Sequence, residues 1–203
     1  MMTRSEPKHS LNAEPWNAIR HPAVAELTRR ELRLGRFGET LFVISQAIPY
    51  FVLINVRWML AGSYVPAGIN HWIGGLLPTI FLVIGILFAW FGVHANRRGR
   101  KSGLQGWFTV NVVLGIATVV MLLVALSTYP LSALSHYGSI YVTCLGVAVF
   151  YTIISTLVTL GVIFRCTAGL ISSRTPFGPE SAAVTWTFNA IAWFALYMAL
   201  YII

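Results

Sequence analysis

Five stretches of the chain are apolar almost without interruption, at residues 39–60, 72–95, 104–128, 137–164 and 182–203. Each is long enough to cross the hydrocarbon layer of a bilayer as an α-helix, which takes roughly 20 residues, the third and fourth with some tilt. The strict alternation of a membrane β-barrel is missing. Backbone groups in lipid must be satisfied within their own segment, so the pattern predicts helices. The fold class is therefore all-α, an integral membrane bundle of five transmembrane helices. Ahead of it, residues 1–36 are polar and hold Pro7, Pro15, Pro22 and most of the acidic residues. Within this arm, residues 22–35 read as an amphipathic helix in which Val24, Leu27 and Leu34 alternate with Arg29, Arg30 and Arg33, suited to lying on lipid headgroups. A signal peptide would place about 7–15 apolar residues near the start; the arm has none and is read as an extramembrane segment. The division is thus a 1–36 N-terminal arm and a 37–203 membrane domain.

Composition narrows the class further. The chain is 57% hydrophobic and 10% charged, with a mean hydropathy of +0.72. Ordinary globular chains are about 45–50% apolar and about 25% charged. A soluble enzyme, a disulfide scaffold and a disordered protein are all excluded. The net charge of +8 could suggest nucleic acid, but its distribution points to membrane orientation. Thirteen of the 14 basic residues fall in the arm, in the Arg97–Lys101 connection, or at Arg165 and Arg174. With five spans these segments share one side, whereas residues 61–71 and 129–136 contain no Lys or Arg. The positive-inside rule then predicts a cytoplasmic N-terminus and an outside C-terminus. Arg57, the one exception, is expected to snorkel outward.

The chemistry available to such a chain is limited. His9 and His21 lie in the arm, His71 and His136 at the outer interface, and His94 at the end of the second span. None is at mid-membrane, and C-x-x-C-H is absent, so no haem or copper ligation is expected within this chain. Cys144 and Cys166 read as small packing residues, not as a disulfide or metal site. Proton and ion paths are marked by intramembrane charge, and the deep parts of the spans hold no Asp, Glu, Lys or Arg. What remains is suited to packing. Thr152, Ser155, Thr156 and Thr159 form a stripe at i, i+3, i+4 and i+7, and Gly85/Ala89 and Ala195/Ala199 are small-xxx-small pairs. Such surfaces permit close helix approach and interhelical hydrogen bonds of about 0.6 kcal/mol each. They serve either internal bundle packing or a partner interface. Pro49 is expected to kink the first span, with Gln46 satisfying freed backbone groups. Trp58, Trp72 and Trp107 are read as interfacial anchors.

In the last two spans the sequence becomes specific. The run His136-Tyr137-Gly138-Ser139-Ile140-Tyr141-Val142-Thr143-Cys144-Leu145-Gly146 resembles a Y-G-S-x-F-F-x-x-T-G stretch of haem-copper oxidase subunit III. The segment from Glu180 through Trp186 and Phe188 to Trp193 is similar to that family's closing V-E-A-x-x-x-Y-W-H-F-V-D-x-V-W helix. Phe42-Val-Ile-Ser45-Gln46-Ala47 resembles its F-L-x-S-E-A, and the basic connection before Gly106-Trp107 its short cytoplasmic turn. The likeness runs over roughly residues 36 to 203 and suits the five-helix bacterial form. There are departures. The family's glutamate is Gln46 here, two histidines fall on Ala148 and Tyr151, and W-H-F-V-D reads Trp186-Thr187-Phe188-Asn189-Ala190. The aromatic and small framework is kept while the titratable positions are replaced.

The resemblance implies a non-catalytic subunit of a cytochrome c or quinol oxidase in a bacterial inner membrane, with no active site in this chain. Haem and copper would be held by partner chains, subunits I and II. It also implies bound phospholipid in a cleft between the first two helices and the rest, and no role with nucleic acid. The alternatives are an accessory subunit of a nitric oxide reductase-type complex, a stand-alone neutral-solute carrier, or an assembly factor.

Overall fold

Long helices make up most of the protein. The computed structural model describes residues 29–129, 135–171 and 177–203, with side chains from residue 33. Helix α1 spans Arg29–Ala61. A π-helical turn, Trp72–Leu76, leads into α2, Leu77–Arg97, followed by α3 at Lys101–Ser127 and α4 at His136–Thr167. The last helix, α5, runs Phe177–Tyr197 and continues as a π-helical turn over Met198–Ile202. All five are long and apolar enough to cross a membrane. The five apolar stretches read from the sequence therefore correspond to helices one for one.

The ends differ from the sequence reading in physically instructive ways. Among the described residues α1 runs from Arg29 unbroken through Gly35, so residues 29–36 are part of the first helix. Residues 22–28, the remainder of the stretch read as amphipathic, lie outside the described residues, as do His9, His21 and Arg174. α1 stops at Gly62, whose φ of 57° is the left-handed conformation that favours glycine after a helix. Its N–H closes the last turn on the Trp58 carbonyl at 3.0 Å. α2 and α3 are joined by Arg98-Gly99-Arg100 alone, with Gly99 at φ 73°. α4 is capped by Ser135, whose hydroxyl accepts from the Gly138 N–H at 3.0 Å.

Helices α2 to α5 form a four-helix bundle: α2 packs on α3 and α5, and α4 on α3 and α5. α1 lies outside it, against α4 and α5. Outward-facing side chains are as apolar as the core. Phe51 is 71% exposed and Met59 84% on α1, and Val113, Leu157 and Ile191 are exposed on other helices. An apolar exterior of this extent belongs in lipid.

Two local expectations are corrected. Arg57 does not snorkel to water; it is 1% exposed. Its guanidinium donates to the carbonyls of Gly62 and, at 2.8 Å, Tyr64, and lies 5.0 Å from the Tyr137 ring centroid. The helix end supplies unpaired carbonyls at that point, so both terminal nitrogens are paired by the chain itself, while Nε has no partner among the described residues. Gln46 does not serve the backbone around Pro49. Its amide donates to Ser45 Oγ at 3.2 Å, and Ser45 donates to the Phe42 carbonyl at 2.7 Å.

Candidate functional site

The interior is held together by side chains of α5 that reach across to neighbouring helices. The Trp193 indole N–H donates to Thr79 Oγ1 at 2.9 Å, and the Trp186 indole N–H to the Leu82 carbonyl at 3.2 Å, both on α2. Asn189 donates to Thr152 Oγ1 on α4 at 3.2 Å. Near the opposite end Tyr137 donates to the Leu200 carbonyl, and the hydroxyls of Tyr141 and Tyr201 meet at 2.8 Å. The Trp186 indole fits because the positions facing it lack a side chain. A Cβ on Gly85 would meet the Trp186 indole, with Cε2 at 2.6 Å, and Asn111 Oδ1 at 2.8 Å. A Cβ on Gly115 would meet Thr156 Oγ1 and, at 3.0 Å, Trp186 Cη2. Of the two small pairs, Gly85/Ala89 therefore receives an aromatic side chain of the chain's own α5.

The hydroxyl stripe also lies inside this bundle. Thr152, Ser155, Thr156 and Thr159 are all buried. Each donates to the carbonyl four residues earlier, at 2.7–2.9 Å. Ala199 is buried and Ala195 half-buried on α5. Asn111, fully buried on α3, has neither amide atom paired among the described residues.

At the end that carries the basic connections, three helices meet on one carboxylate. Glu180, in the first turn of α5, accepts from Arg36 Nη2 of α1 at 3.0 Å and from Arg97 Nη2 of α2 at 2.7 Å. Its side chain is 11% exposed, while the two arginines are 62% and 54% exposed. Glu39 of α1 and Ser181 of α5 stand beside it. The sequence marked Glu180 through the subunit III resemblance, without naming its partners. The available signal was a single acid between 40 and 203, with basic residues at both neighbouring helix ends.

The sequence is similar to proteins named cytochrome c oxidase subunit 3. That of Ornithorhynchus anatinus is 28% identical over 184 residues, covering 82% of this chain and 68% of the relative. That of Paracentrotus lividus is 28% identical over 187 residues, covering 91% and 69%. The Spodoptera frugiperda protein is 29% identical over 127 residues, covering 62% and 86%. The subunit III resemblance holds along most of the chain. No protein-family model matches it.

The subunit III-like framework residues divide into two sets. Tyr137, Gly138, Glu180, Trp186 and Trp193 are buried, and Phe188 is half-buried against Tyr50 with ring centroids 5.9 Å apart. Their work is internal packing. Ser139 and Gly146 are exposed on α4, in line with exposed Thr143, and a Cβ on Gly146 would meet nothing within 4 Å. Among the substituted positions, Ala148 is in the core. The Tyr151 ring lies 5.1 Å from that of Tyr50, tilted at 40°, where α1 docks, so an aromatic contact stands where the subunit III pattern has a histidine. His71, His94 and His136 are exposed and separate, and no group of three His, Cys, Asp or Glu gathers among the described residues. Cys144 and Cys166 are free and buried.

Proposed function

We propose that this chain is a non-catalytic, subunit III-like accessory subunit of a respiratory haem-copper terminal oxidase. It packs on subunit I beside subunit II in a bacterial inner membrane, with its N-terminus in the cytoplasm. There it supports oxygen reduction and proton pumping by the complex and binds phospholipid, while partner subunits hold haem and copper. The observation that carries the reading is the similarity to cytochrome c oxidase subunit 3 across most of the chain. The filled interior agrees with it, because the buried hydroxyls and indoles serve helix packing.

The partner surface in this reading is the outward face of α4 at Thr143 and Gly146. Internal packing does not account for a framework glycine with open space above it, whereas close approach of a second helix does. The test is purification of the tagged chain in mild detergent, followed by native gel migration and mass spectrometry. Wild type is expected to migrate with a haem-bearing partner identified as oxidase subunit I. Gly146→Leu should insert and fold normally but lose most of that association. Co-purification with a nitric oxide reductase, or migration as a lone chain, would overturn the oxidase assignment. Undiminished association of the leucine variant would place the interface elsewhere.

Orientation has its own test. Single cysteines at Ser63 and Ser102, in a background lacking Cys144 and Cys166, lie exposed at opposite ends of the bundle. An impermeant maleimide applied to intact cells should label position 63 and not position 102. The reverse pattern would invert the topology.

A further inference from the structure

The tight α2–α3 connection forms a concavity that the packing and the partner surface leave unused. About 270 Å³ in volume, it lies between the last turns of α2 and the first two turns of α3. His94, Arg98 and Arg100 line its polar side, Phe91 and Trp107 its apolar side, and Gly103 its base. A Cβ on Gly103 would stand 3.1 Å from that of Ala95, so the two helices come close at the base. Arg97 next door is occupied by Glu180. Arg98 and Arg100, by contrast, form no ion pair among the described residues, and no acidic residue lines the concavity. Its position adds to the positive field. α3 starts here with no side-chain cap and no acid in its first turn, so the amides of that turn have no anionic partner. Below the cations, Trp107 stacks on Phe88 at 5.4 Å and contacts Phe91 at 5.5 Å, an apolar wall continuing toward the membrane interior.

From this arrangement we infer that the α2–α3 hairpin holds the headgroup of an acidic phospholipid. The phosphodiester lies against Arg98, Arg100 and the first turn of α3, and an acyl chain runs down the Phe88–Phe91–Trp107 wall. Two features favour a lipid over a soluble phosphate. The cations sit where the hydropathy of both helices ends, at headgroup level, and one side of the cavity is aromatic. Guanidinium forks suit two phosphate oxygens at once. Zwitterionic lipids carry their own cation, which Arg98 and Arg100 would repel.

The inference rests on membrane insertion in the reading above but not on any oxidase partner, so the two fail separately. The test is native mass spectrometry of the full chain in mild detergent, with lipids of identical acyl chains added. Wild type should retain one phosphatidylglycerol in preference to phosphatidylcholine, and excess inorganic phosphate should not displace it. Arg98→Gln with Arg100→Gln should lower retention on the order of tenfold or more, given the contribution of each basic residue near an anionic headgroup. Arg165→Gln, an exposed cation outside the concavity, should leave retention unchanged. The paired Arg98→Lys and Arg100→Lys variant should keep part of the selectivity, which guards against misreading a folding defect. Equal binding of phosphatidylcholine, full displacement by phosphate, or an equal loss in the Arg165 variant would each overturn the site.

Discussion

Gly85→Ala is expected to be the most damaging single methyl group that can be added to this protein. The new Cβ falls on the Trp186 indole, which is fully buried and hydrogen-bonded to the Leu82 carbonyl on the same helix as Gly85. It also presses on Asn111 of α3, so neither neighbour can yield without disturbing a third helix. Overpacking of this kind costs about 1–3 kcal/mol and occasionally more. The upper end applies here, because the colliding side is a rigid indole. The measurement is unfolding in mild detergent, by heat or by a titration of denaturing detergent. Trp186→Phe alone should also destabilise, by removing the indole N–H and part of the ring. The double variant should be more stable than the sum of the two losses, because the smaller ring withdraws from the new methyl. Strict additivity would show that the helices separate there instead of colliding.

How much of this was legible in the sequence depends on which force decided each feature. The five spans follow from hydropathy, because lipid requires long, internally hydrogen-bonded helices. Each apolar stretch therefore became a helix. The direction in which a span faces is less legible. Spans are apolar both outward, where Phe51 and Met59 are exposed, and inward, where Leu82 and Leu145 are buried, so periodicity gives weak orientation. Gly85 could be read as half of a small-xxx-small pair, but nothing local tells which helix fills the gap. Arg57 was misread for a related reason. A charge near a span end ordinarily turns to water, and only the fold brings the Gly62 and Tyr64 carbonyls and the Tyr137 ring around it. Glu180 is the same case in reverse. The subunit III resemblance marked the residue, yet its two arginine partners lie 144 and 83 positions away. The resemblance itself was carried by residues of both kinds, and the exposed ones are those that packing alone does not explain.

Glu180→Gln is expected to loosen α1 without unfolding the bundle. α1 is held at three heights: by Arg36 on Glu180, by Tyr50 between Tyr151 and Phe188, and by Arg57 over Tyr137. The remaining four helices pack on one another independently of it. A hydrogen bond to a charged group contributes about 1.5–3 kcal/mol when partly buried. Both arginines are more than half exposed, so solvent screening lowers the loss to about 1–2 kcal/mol. The variant should therefore keep its helical content while the basic end of α1 gains freedom. Spin labels at Phe37 on α1 and Ile191 on α5, both exposed, report this directly. Their distance distribution should be narrow in wild type, broader in Glu180→Gln, and nearly as broad in Arg36→Gln. Arg97→Gln removes the tie to α2 but leaves Arg36 on the carboxylate, so it should broaden the distribution least. Glu39→Gln is the control for charge alone, since it removes a neighbouring acid whose Oε1 has no partner among the described residues. An unchanged distribution in Glu180→Gln would assign the seating of α1 to Tyr50 and Arg57. Equal broadening by Glu39→Gln would assign it to the summed charge at that end.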